Sequence, residues 1–107
     1  MKTIELEKEF EGAGEVKGMH FKLDTRNQYV SIYEVNDGGV IHYEVFLRKF
    51  TPVCIDFSKR IYSDDKMREV YPKSKDFGIR SWTYRKYPSA KIKFIELTKK
   101  MQENERK

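Results

Sequence analysis

Tyr29-Val30-Ser31-Ile32-Tyr33-Glu34-Val35, then Asn36-Asp37-Gly38-Gly39, then Val40-Ile41-His42-Tyr43-Glu44-Val45-Phe46-Leu47 is the stretch that decides the fold. Two runs rich in β-branched and aromatic residues flank a cluster that tolerates positive φ, the sequence signature of a β-hairpin. A two-residue turn at Asp37-Gly38 would pair Val35 with Val40 and Ile32 with Tyr43. Side chains alternate along a strand, so Val30, Ile32, Ile41, Tyr43, Val45 and Leu47 share one face, the expected core side. The opposite face takes Tyr29, Tyr33, Val35, Val40, His42, Glu44 and Phe46. A longer loop from Asn36 to Gly39 keeps the same facing.

Outward from the hairpin the pattern stays strand-rich. Ile4 to Phe10 alternates apart from Lys8, which falls on the apolar side, and reads as a first strand. Gly12-Ala13-Gly14 is a turn signal, Val16 to Leu23 a strand, and Asp24 to Asn27 a polar turn. Thr51-Pro52 interrupts the next ladder, because proline has no amide donor. Val53 to Phe57 is a short strand that Arg60-Ile61-Tyr62 extends after a bend. Residues 63–70 are ambiguous: Ser63 or Asp64 is able to cap a short helix that Tyr71-Pro72 would end. Phe77 to Lys86 reads as the last strand, with Trp82 and Tyr84 on one side.

A helix follows. Pro88 suits a first turn, and Ala90, Phe94, Leu97 and Met101 recur at helical spacing, broadened by Ile92 and Ile95. Gln102 to Lys107 is expected to fray. The fold class is therefore α+β: a mostly antiparallel sheet of about five or six strands packed on one C-terminal amphipathic helix, in a single domain over 1–107.

Composition bounds the function. The chain has 107 residues with a net charge of +5, and aromatics make up 14%, too many for a disordered chain. No apolar run approaches the roughly 18 residues of a membrane span, so a membrane is not an expected partner. The opening residues lack the apolar core of a secretory signal, and one cysteine, Cys54, leaves no internal disulfide, so a cytoplasmic setting is expected. Cys54 lies in an apolar run and reads as a buried small hydrophobe. Charge is segregated along the chain. Residues 1–47 hold five Lys/Arg against nine Asp/Glu, a net of −4, while residues 48–107 hold 17 against eight, a net of +9.

Neither a phosphate-cradling glycine loop nor cysteine or histidine pairs at metal spacing are present, so no cofactor or metal is expected. Three functional classes remain. The first is a small non-enzymatic protein-interaction domain, binding a protein partner or a second copy of itself through Tyr29, Tyr33, His42 and Phe46. The second is a nucleic-acid-binding module using Arg48, Lys49, Arg80, Arg85 and Lys86, because rings on a sheet beside cations stack bases and neutralise phosphates. The third is an enzyme or small-molecule site built on His42 and Glu44 as an acid–base pair.

Overall fold

The computed structural model describes residues 2–105. Eight strands and one helix follow in order: β1 (Lys2–Ile4), β2 (Glu9–Glu11), β3 (Met19–Arg26), β4 (Val30–Asp37), β5 (Val40–Leu47), β6 (Lys49–Asp56), β7 (Ile61–Val70), β8 (Ser81–Tyr84) and α1 (Tyr87–Glu105). The α+β class is as expected, with the strands divided between two sheets. One is a five-stranded antiparallel sheet in the order β2-β3-β4-β5-β8, and the other is three-stranded in the order β1-β7-β6. The chain forms two compact units: Met1–Leu6 with Arg48–Tyr71, and Glu7–Leu47 with Pro72–Lys107.

In the larger unit, β4 and β5 form the hairpin read from the sequence, with its register moved by two residues. Asp37 pairs with Val40, Val35 with His42 and Ile32 with Val45. The turn is Gly38-Gly39, with φ of 59° and 95°, where both central residues must be left-handed to match the twist of the strands. The Asn36 carboxamide oxygen accepts from the Gly39 amide at 2.8 Å and holds it. A slip of two preserves facing. Val30, Ile32 and Val45 meet Ala90, Phe94 and Leu97 of α1 in the core, with Tyr43, Leu47, Trp82, Tyr84 and Tyr87 packed around them. Ile41, expected in that core, is 43% exposed near the turn.

Polar contacts fix the helix on the sheet. The Asn27 side chain accepts from the amides of Tyr29 and Val30 and donates to the Thr98 hydroxyl at 2.8 Å. The Tyr29 hydroxyl donates to Glu105, and the Tyr87 hydroxyl to Asp24. The helix therefore continues through Glu105, into the stretch expected to fray, while residues 106 and 107 lie outside the described residues.

The second face of this sheet is equally buried. Phe21, Tyr33, Val35 and Phe46 are closed to solvent. Phe10 stacks on Phe21 with ring centroids 4.9 Å apart, and Tyr33 stacks on Phe46 at 5.7 Å. The Tyr33 hydroxyl donates to the Glu7 carbonyl at 2.7 Å and accepts from Arg26 at 2.9 Å. Small residues make room for Phe46: Ser31 and Ser81 flank it in register, both buried, and neither hydroxyl has a hydrogen-bond partner.

The structure settles four local readings. The first strand is two strands in different sheets, broken where Lys8 spoils the alternation. Asp24 to Arg26 continue β3 through a bulge instead of turning, and the turn falls at Asn27. Pro52 pairs with Met67 inside β6, the outer strand of its sheet, and the ladder breaks directly after it, where the register shifts between Pro52 and Cys54, as the missing amide donor leads one to expect. Residues 63–70 are not helical, since β7 runs through them between β6 and β1. Phe46→Ala is expected to lower stability by about 3–5 kcal/mol. Ser81→Ala, which removes an unpartnered buried hydroxyl, should leave stability unchanged or raise it by up to ~1 kcal/mol. Urea denaturation of the two variants measures both.

Candidate interaction surfaces

The four residues expected to form one aromatic binding face are separated. Tyr33 and Phe46 are buried within this chain, so neither ring can meet a partner. Tyr29 precedes β4 and packs on the helix side instead. His42 lies beside Glu44, with its Nε2 3.3 Å from a carboxylate oxygen, and both side chains are largely covered. Tyr33 and Thr83 flank Glu44 in register. The pair is thus an internal polar contact of the buried face.

The expected nucleic-acid set also divides. Arg48 is committed to an internal cluster: its guanidinium grips the Glu69 carboxylate with two contacts of 2.9 Å and reaches Glu5 at 2.8 Å. Glu69 is 2% exposed and also accepts from the Leu6 amide at 3.1 Å. The Glu69 hydrogen bonds, followed by those of Glu5, outweigh burial and hold the guanidinium in its charged form. Arg80 is similarly used, donating to the Leu47 carbonyl at 2.6 Å with Asp76 3.4 Å away. Lys49, Arg85 and Lys86 are exposed.

The segregation of charge along the chain dissolves in the fold. The smaller unit holds seven Lys/Arg and five Asp/Glu, a net of +2, and the larger holds 15 and 12, a net of +3. Pairing within the smaller unit restores an imbalance. Arg48 takes Glu5 and Glu69, so six further cations remain with only Asp56, Asp64 and Asp65.

The β6–β7 hairpin end carries the largest exposed apolar group in that unit. Ile55 is 67% exposed, Phe57 85%, Ile61 46% and Tyr62 53%. Cys54, expected to be buried, is also exposed there, opposite Tyr62. The turn beneath them is braced by Asp56, which accepts from the Ser58 hydroxyl at 2.8 Å and the Lys59 amide at 3.2 Å. Those two donors hold the Asp56 carboxyl below its ordinary value, the Ser58 hydroxyl contributing most. Arg60 closes the turn with φ of 54°. A non-glycine residue in this left-handed region costs roughly 1–2 kcal/mol.

Two smaller features lie on the larger unit. An open groove of about 260 Å³ runs along α1, lined by Tyr84, Ser89, Ile92, Lys93 and Glu96. The Lys93 ammonium sits 4.3 Å from the Trp82 ring centroid, which covers that ring face. On the opposite edge, His20 is clamped by β2: Nδ1 lies 2.5 Å from Glu11 and Nε2 2.7 Å from Glu9. Among the described residues, no group of three His, Cys, Asp or Glu side chains is set to hold a metal ion.

No protein family, curated protein or solved structure gives a significant match to this chain. Among the described residues, no helix is long and apolar enough to cross a membrane.

The sequence pattern misplaced the exposed aromatics because the hairpin β4–β5 was read with one covered face. Phe57 and Tyr62 had a signal, since both flank a polar turn. The helix–strand ambiguity of residues 63–70 hid the alternation that follows them.

Two predictions test these contacts. Arg48→Ala strands the buried Glu69 carboxylate and should lower stability by about 3–5 kcal/mol in urea denaturation. His20 should titrate above its ordinary 6.5, chiefly through Glu11 and then Glu9. A raised folded value means the clamp stabilises fully below the unfolded pKa and is lost as pH rises through the folded one. Imidazole NMR titration measures the shift, and Glu11→Gln should reduce it.

Proposed function

We propose that this protein is a non-enzymatic interaction module that docks its partner through the outer end of the β6–β7 hairpin. The supporting observation is the exposure of Ile55, Phe57, Ile61 and Tyr62 within eight residues of one hairpin. Exposed apolar side chains gathered at one end of a small domain mark contact surfaces, whereas scattered single ones do not. The Asp56-braced turn pre-shapes this end, so little ordering is needed on binding. Arg60 adds to the argument: a left-handed position that glycine or asparagine fills more cheaply holds a long cation instead. Docking here leaves the buried rings of Tyr33 and Phe46 in the core.

Ile55→Ser with Phe57→Ser removes the apolar end without touching a buried residue. The expected outcome is an unchanged melting temperature together with loss of at least tenfold in partner retention, read by quantitative pull-down from the native cell extract. A pair of pull-downs in which wild type and double variant retain the same proteins to the same extent overturns the reading.

A further inference from the structure

The three-stranded sheet has one open face, and its register defines what that face presents. Along the last part of β7, Glu69 is buried and Met67 is partly covered, while Lys66 and Arg68 on the alternate positions are exposed. Lys2 of β1 lies opposite Lys66, and Ile4 opposite Arg68. On β6, Thr51 lies opposite Arg68 and Lys49 opposite Val70. The register breaks between Pro52 and Cys54, so that Met67 pairs with Pro52 and Tyr62 with Cys54. On the β1 side of that break one face carries Lys2, Lys49, Lys66 and Arg68 with Ile4, and among the described residues no carboxylate stands at a paired position of it.

This arrangement is unfavourable in the isolated molecule. Strands in a sheet lie about 4.8 Å apart, and like charges opposite one another are destabilising. Lys2 and Lys66 are such a pair, and neither forms an ion pair. The carboxylates that would relieve them are engaged elsewhere, since Glu5 and Glu69 are bound by Arg48 and Asp65 accepts from Ser63 at 2.7 Å. An external polyanion would supply the missing charge.

We infer that this sheet binds single-stranded nucleic acid, with phosphates held by Lys2, Lys49, Lys66 and Arg68 and bases stacked on the exposed rings of Tyr62 and Phe57 at the hairpin end. The inference goes beyond the docking reading above, because the cations lie on the sheet and not at the hairpin end. Rings at one end and cations along the length suit a strand whose bases are free to stack. Insertion of the hairpin end into a bilayer is disfavoured, because Lys59 and Arg60 at its tip would enter the hydrocarbon first.

The test is fluorescence anisotropy with labelled oligothymidylate and oligouridylate of about 12 nucleotides, at salt from about 50 to 200 mM. Wild type is expected to bind with affinity that falls as salt rises. Lys66→Ser with Arg68→Ser should weaken binding by at least tenfold and flatten the log–log salt slope by about 1.4, at ~0.7 per charge lost. Tyr62→Ala should weaken binding by roughly tenfold through lost stacking. Lys66→Ser alone should also raise the melting temperature of the free protein, because its cross-strand repulsion is gone. That opposite movement of stability and affinity would not follow from a structural role.

Absence of oligonucleotide binding at the lowest salt, or binding unaffected by the Lys66/Arg68 and Tyr62 variants, overturns the inference. So does cosedimentation with phosphatidylserine vesicles without oligonucleotide binding. If Ile55→Ser with Phe57→Ser still abolishes partner retention in those cases, the docking reading survives alone. If oligonucleotide binding is lost in the Lys66/Arg68 and Tyr62 variants while Ile55→Ser with Phe57→Ser leaves protein retention unchanged, the docking reading fails and the sheet-face site stands.

Discussion

Burial of the β4–β5 hairpin on both faces is the constraint on which the larger unit depends. On one side Val30, Ile32 and Val45 close against Ala90, Phe94 and Leu97. On the other, Phe21, Tyr33, Val35 and Phe46 are sealed among aromatic stacks. A strand buried on both faces has no solvent side on which to carry charge, so Glu44 on β5 is retained beside His42 and polar atoms such as the Tyr33 hydroxyl are tied to backbone. Each ring so committed is removed from the pool available for binding, and any partner surface must form elsewhere.

The smaller unit is organised differently. Its sheet is held by charge as much as by apolar contact, with Arg48 drawing Glu5 and Glu69 onto one side. This is a bidentate, largely covered guanidinium–carboxylate pair of the kind that is strong when intact and costly when broken. Its second effect is electrostatic. By absorbing two carboxylates it leaves the open face with uncompensated lysines and an arginine.

Much of the architecture was legible from local pattern. The hairpin, the C-terminal helix and the placement of Trp82 and Tyr84 toward that helix follow from periodicity and turn chemistry. The hairpin facing survived a register error because a two-residue slip does not exchange faces. Residues 63–70 resisted, since a serine and two aspartates ahead of charged residues satisfy helix-start rules while the same residues belong to the central strand of the smaller sheet. Pairing with β6 and β1 settles the choice, and neither pairing is local.

The amino-acid sequence by itself determined the α+β class, the central hairpin, the amphipathic helix and the excess of positive charge, because each depends on neighbours within a few positions. Only the tertiary structure decided which aromatics are exposed and which cations are spent. Tyr33 and Phe46 alternate with polar residues as a surface face would, yet are buried. Phe57 and Tyr62 sit in an ordinary strand pattern, yet are open. Arg48 and Lys49 are adjacent in the chain and opposite in fate, since one meets Glu69, 21 positions away, and the other does not. Burial and ion pairing are properties of long-range contact, and no local spacing encodes them.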